Sequence, residues 1–188
     1  MNFLKHSNLN GLHAAFSPSQ PSWLRYDDER VLEVYANKQA AALGSRLHAW
    51  AKETIDLGIK QPKSKKTIYA YVNDAIGFKM STEVVLYYSD RFFGTADAIS
   101  FRNNVLRIHD LKTGVTGSTD THIEQLQIYA ALFCLEYRFK PSDIQIELRV
   151  YKDDNVVCHS PEPEVIAGII DHIVHVDNLL EKIDYREE

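Results

Sequence analysis

Residues 81–113 restrict the fold more than any other stretch. "STEVVLYY" (81–88), "RFFGTADAISF" (91–101) and "VLRIHDLKT" (105–113) are three runs rich in apolar, β-branched and aromatic residues, the composition of strands. Only "SD" and "RNN" separate them. Connections this short join antiparallel neighbours, because a parallel pair needs a crossover of a dozen residues or more. The pattern predicts a three-stranded meander. A fourth alternating run, "DIQIELRVYK" (143–152), predicts another strand.

Helical patterns surround these strands. One runs from a cap at Asp27 or Asp28 to about Leu57, with a kink or break expected near Gly44. A shorter one covers Thr67 to Phe78. "TGVTGSTD" (113–120) reads as a loop, and "THIE" offers a capping box, Thr121 to Glu124, for a helix ending near Phe139. A last helix, about 163–183, carries Ile166, Ile169, Ile170, Ile173 and Val174 at helical spacing. That stripe serves either the core or an interface with another subunit. The expected architecture is α/β (α+β), a small mixed sheet of about four strands flanked by helices. It forms one domain over 1–188, with its motif-bearing core at about 28–152.

Composition narrows the functional classes. The chain has 188 residues, a net charge of −5 and 45% hydrophobic residues, as ordinary globular proteins do. The run "YAALFCL" (129–135) is too short to cross a bilayer, and the first residues hold no continuous apolar core of a secretory signal. Cys134 and Cys158 are too few for a disulfide framework or an iron–sulfur cluster. A cytoplasmic, membrane-free protein is expected. The net charge argues against a general polyanion binder, but "KQPKSKK" gathers Lys60, Lys63, Lys65 and Lys66. Such a loop is either a solvated surface or a phosphate contact.

Two aspartates stand out against the strand pattern. Side chains alternate faces along a strand, so Leu106, Ile108, Asp110 and Lys112 share one face of the third strand. On the second, Phe93, Thr95, Asp97, Ile99 and Phe101 are expected to share another. Each acid sits in an apolar row near the strand end away from the "RNN" turn. Two enclosed carboxylates are costly singly and repel one another. A divalent cation resolves both problems, and Mg²⁺ is commonly held by one or two carboxylates with waters and phosphate oxygens. Lys112 lands beside them, where an ammonium can orient or deprotonate a water or neutralise phosphate charge. The simpler account is a surface ion pair between Asp110 and Lys112.

Other residues accompany the acids. Gly94 puts a small residue three positions before Asp97, and Glu83 opens the first strand. Gln125 and Tyr129 lie one turn apart on the next helix, as do Gly44 and His48 on the first. Arg107 and His109 point away from Asp110, while His13, His122 and His159 have no partner at a telling spacing.

The ordered set G-x-x-x-H, E, G-x-x-D, D-x-K-T-G and Q-x-x-x-Y, over about residues 44–129, resembles the PD-(D/E)XK nuclease superfamily, in its RecB-like, phage-type exonuclease branch. The resemblance implies a restriction-endonuclease-like core and a metal-dependent DNA nuclease of low sequence specificity, acting in recombination, repair or phage DNA processing. It implies His48, Asp97, Asp110 and the Leu111 carbonyl as ligands of one or two Mg²⁺ or Mn²⁺ ions, with Glu83 as a looser match. Lys112 is then the catalytic lysine and Gln125 contacts substrate or active-site water. Tyr129 lines the groove or supports the helix, and Lys63, Lys65 and Lys66 touch phosphates. DNA is the implied partner, with a further copy of the chain or a recombination or replication protein as other partner classes. The chain departs from many RecB-like relatives in lacking iron–sulfur cysteines and a helicase-type domain. Two rival readings are a catalytically silent DNA- or protein-binding module of the same fold, and a phosphodiesterase directed at RNA or nucleotides.

Overall fold

The computed structural model describes residues 4, 6–9, 11, 14–114 and 119–184. His13 and residues 115–118 of the expected loop lie outside them. Contacts divide the chain into two compact units, Met1–Arg46 and Leu47–Glu188. The boundary falls inside the first helix, α1 (Asp28–Asp56).

In the first unit the Asp27 carboxylate accepts a hydrogen bond from the Arg30 amide at 2.8 Å and so caps α1. A short 3₁₀ turn, Pro21–Arg25, precedes it. The Trp23 indole N–H donates to the Ser17 carbonyl at 3.1 Å, and Phe16 stacks on Tyr35 with centroids 6.5 Å apart. The helix runs unbroken through Gly44, where a kink or break was expected. One glycine weakens a helix by only about 1 kcal/mol, which a long hydrogen-bonded ladder absorbs.

The second unit holds α2 (Thr67–Gly77), β1 (Ser81–Ser89), β2 (Phe92–Arg102), β3 (Val105–Lys112), α3 (Thr119–Tyr137), β4 (Gln145–Lys152), β5 (Asn155–His159) and α4 (Pro163–Asp184). The fold is mixed α/β, an open sheet of order β1-β2-β3-β4-β5 flanked by helices. β1, β2 and β3 form the expected antiparallel meander. β3 and β4 pair in parallel, with α3 as the crossover such pairs require. The sheet has five strands rather than about four. β5 returns antiparallel on β4 through Asp153 and Asp154, both left-handed at φ 48° and 58°. α3 starts at Thr119, so Thr121 lies in the first turn rather than at the cap expected of it.

Two cores sandwich the sheet. Leu106, Ile108, Leu148 and Val150 meet Leu126, Ala130 and Phe133 of α3 and Ile166 and Ile173 of α4; the α4 stripe therefore belongs to the core. On the other side Ala98, Leu111 and Tyr151 meet Ala51 and Ile55 of α1 and Tyr71, Val72 and Ala75 of α2. Among the described residues no helix is long and apolar enough to cross a membrane.

The row expected on β2 is not continuous. Ala96 packs on the α3 side and Ala98 on the opposite side, yet Ile99 and Phe101 are again with α3. Alternation therefore slips by one around Asp97. Phe93 is 61% exposed, and Gly94 rather than Thr95 approaches α3. β1 is irregular at the same level: Glu83, between the pairs Thr82–Ala98 and Val84–Ala96, has φ 52°. A left-handed residue inside a strand turns the following side chains to the other face.

Candidate active site

The slip places Asp97 where the strands part. The β2–β3 ladder runs from Arg102–Val105 to Ala98–His109. Past it, the Leu111 amide donates to Asp97 Oδ2 at 3.0 Å, a side chain taking the place of a strand carbonyl. In an extended chain a residue's N–H and C=O point to the same edge, so the Leu111 carbonyl is turned toward β2 as well. α1 brings His48, whose Nδ1 lies 3.5 Å from Asp97 Oδ2.

Asp110 is 3% exposed. Its Oδ1 lies 3.0 Å from Lys112 Nζ, while its Oδ2 is buried with no hydrogen-bond partner. Lys112 Nζ also donates to Gln125 Oε1 at 3.0 Å, and Gln125 Nε2 donates to the Tyr129 hydroxyl at 3.3 Å. The Asp97 carboxyl is pushed up to about 6, by burial first and the Asp110 charge second, against the opposing pull of the Leu111 amide, His48 and Lys112.

These groups line one cavity of ≈ 340 Å³. His48, Asp97, Asp110, Leu111, Lys112 and Gln125 all reach it, six of the residues expected from sequence. Thr113, Gly114 and His122 complete the lining. Sequence reasoning set His122 aside, although it stands three residues before Gln125 and so one turn along the same helix face. Its Nε2 is buried and unpartnered, and its pKa is lowered by burial and then by the Lys112 charge.

Tyr129 stands behind Gln125 rather than on the cavity wall. Glu83 is level with Asp97 in the sheet but exposed, and it does not line the cavity. Lys63 and Lys65 are exposed and line neither this cavity nor its neighbour. Lys66 lines that neighbour, a depression of ≈ 450 Å³ that shares Leu111, Lys112 and Thr113 with the site. Asp153 and Asp154 also line it, diluting its positive character.

Gly94 has a specific reason to be small. A Cβ there would stand 2.8 Å from Tyr129 Cε1, so the bare backbone lets the ring settle against β2. The ring in turn holds Gln125, and Gln125 holds Lys112. Gly94→Ala should displace Tyr129, lowering the melting temperature by a few degrees, about 1–2 kcal/mol of overpacking. It should also reduce any Lys112-dependent activity several-fold. Melting curves alongside activity assays check both effects.

Among the described residues no three His, Cys, Asp or Glu side chains converge as a metal-binding group; Asp110 is engaged by Lys112 instead. The donor chemistry nonetheless fits a hard divalent ion. It offers two enclosed carboxylates, one with an oxygen lacking any hydrogen-bond donor, together with a carbonyl and an imidazole.

The opposite face of β3 holds a separate polar network. The Tyr151 hydroxyl donates to Asp74 Oδ2 at 2.7 Å and lies 3.2 Å from His109 Nδ1. With its proton committed to Asp74, that hydroxyl accepts from Nδ1–H, which assigns the tautomer. Arg107 and Arg149 flank the Phe78 ring with their Cζ atoms 4.5 and 4.9 Å from its centroid, and Phe78 meets His109 edge-on. His109 is fully buried and its pKa falls to about 3, through burial and then the Arg149 and Arg107 charges.

No protein-family model matches the chain, and no curated protein matches it. A solved structure described as "Crystal structure of SSO0001" aligns with 84% of this chain and 69% of its own, at 15% identity and a TM-score of 0.37. A likeness that slight carries no argument about function.

Proposed function

We propose that this chain is a divalent-metal-dependent DNA nuclease of the PD-(D/E)XK superfamily, cutting phosphodiester bonds with low sequence specificity and preferring strand ends. One observation carries the reading. Asp110 presents a sealed, partnerless carboxylate oxygen beside a second carboxylate, Asp97, that burial and repulsion keep hard to ionise. Such an arrangement is unfavourable on its own terms and is completed by a cation.

Asp97, Asp110, the Leu111 carbonyl and His48 would hold that ion. The imidazole nitrogen makes Mn²⁺ a good substitute for Mg²⁺. When bound, the ion supplies a nucleophilic water near neutral pH and positive charge for the phosphoryl oxygens. The protein supplies the rest. Lys112, tethered by Gln125, faces the reacting phosphate, where its ammonium offsets developing negative charge and positions the attacking water. Tyr129 keeps Gln125 from turning away. Lys66, on the rim of the adjoining depression, is the lysine of its loop best situated for a neighbouring phosphate.

The test is degradation of single-stranded DNA, duplex DNA and RNA with Mg²⁺, Mn²⁺ or EDTA. Cleavage of DNA that requires the metal is expected, starting from ends. Intact DNA with both metals, or equal degradation in EDTA, would sink the reading; cleavage of RNA alone would reassign the substrate.

A further inference from the structure

We propose that His122 binds a non-bridging oxygen of a substrate phosphate, as a residue of the DNA-binding wall of the cavity. The proposal rests on the nuclease reading and assigns one more residue to that site.

His122 is 9% exposed, lines the cavity and leaves Nε2 buried without a partner. A buried nitrogen without a hydrogen bond is unfavourable and calls for an explanation. Two ligands would provide one: a cation or an anion. The arrangement of the walls decides between them. The strand side is acceptor-rich, with Asp97 and Asp110. On the α3 side the Lys112 ammonium reaches across from β3 to Gln125 Oε1, and its charge is felt at His122. His122 stands on that side, one turn before Gln125. A second cation there would face the Lys112 ammonium, which repels it. A phosphate oxygen would be attracted by that same ammonium and would accept from Nε2–H. The unpaired nitrogen is therefore reserved for a group that arrives with the substrate.

The experiment compares wild type, His122→Leu and His122→Gln. Each is titrated with a short single-stranded DNA in Ca²⁺, which holds the complex without turnover, and with strands carrying one methylphosphonate at successive positions. Wild type should show a penalty of about tenfold at one phosphate, the worth of a hydrogen bond to a charged oxygen. His122→Leu should bind unmodified DNA about tenfold more weakly and lose the penalty at that phosphate, while its melting temperature equals or exceeds that of wild type. His122→Gln, which restores an N–H, should recover part of both. The inference fails if His122→Leu retains the methylphosphonate penalty or binds DNA as wild type does. It also fails if calorimetry shows that variant taking up fewer Mn²⁺ equivalents, which would make the ring an ion ligand. Wild type that cuts DNA alongside such a result overturns this inference alone. Wild type that neither binds nor cuts overturns the nuclease reading with it.

Discussion

Asp110→Asn and Lys112→Ala should each lower Mg²⁺-supported DNA cleavage by about 10³-fold or more, yet move stability in opposite directions. The loss of rate follows from the roles proposed for the two groups: one holds the ion, the other neutralises charge on the reacting phosphate. Stability separates them because the carboxylate pair is unfavourable without a cation. Asp110→Asn keeps the shape and removes one of two repelling charges, while the Lys112 ammonium it leaves behind is the more exposed partner and keeps Gln125 Oε1 as an acceptor, so in EDTA it should melt above wild type. Lys112→Ala removes the ammonium 3.0 Å from Asp110 Oδ1 and leaves an enclosed charge uncompensated, a loss of about 2 kcal/mol once the partial exposure of the lysine is considered. Mg²⁺ should raise the melting temperature of wild type and leave that of Asp110→Asn nearly unchanged. Cleavage rates together with melting curves, with and without Mg²⁺, check all four statements. Equal melting shifts for the two variants would contradict the electrostatic account.

Acidification should weaken the fold well before most carboxylates titrate, and His109 should account for much of the effect. Its folded-state pKa, about 3, lies below the ordinary histidine value of about 6.5. The unfolded chain therefore takes up a proton that the folded chain refuses. Stability from this group is fully present above pH 6.5 and is lost as pH falls toward 3. At pH 5 the expected loss is about 2 kcal/mol. Burial accounts for the refusal first, beside the apolar Phe78 ring, and the like charges of Arg149 and Arg107 add to it. Denaturant unfolding at pH 7 and pH 5 measures the effect. His109→Gln should lose less stability across that interval than wild type, although it is the less stable protein at pH 7. An equal pH dependence in both would assign the acid sensitivity elsewhere.

The meander, the helix between its third strand and the next, and the Asp110–Lys112 row were legible because each rests on a short-range rule. Asn103 and Asn104 adopt φ 51° and 64° in the β2–β3 turn, conformations that asparagine tolerates better than most residues. Lys112 and Gln125 meet because a strand end and the helix after it lie close in any such crossover. The slip at Asp97 had no comparable signal. Glutamate is an uncommon left-handed residue, and nothing in "STEVV" sets Glu83 apart. β5 was overlooked although "YKDDNVV" carries a turn signal at Asp153 and Asp154, since its five residues are too few to show alternation. His122 was missed for another reason. A histidine becomes conspicuous only when its nitrogen is seen to lack a partner, and sequence does not record partners.

The irregularities of β1 have an effect beyond positioning carboxylates. β1 is an edge of the sheet and displays Val85 and Tyr87, beside Phe93 of β2, as exposed apolar side chains. A long, flat, greasy margin of this kind invites strand-to-strand self-association. The left-handed Glu83 at one end and the register shift between Tyr87 and Ser89 at the other leave only a short regular margin between them. The distortion of β1 level with Asp97 thus also discourages one molecule from zipping onto the next.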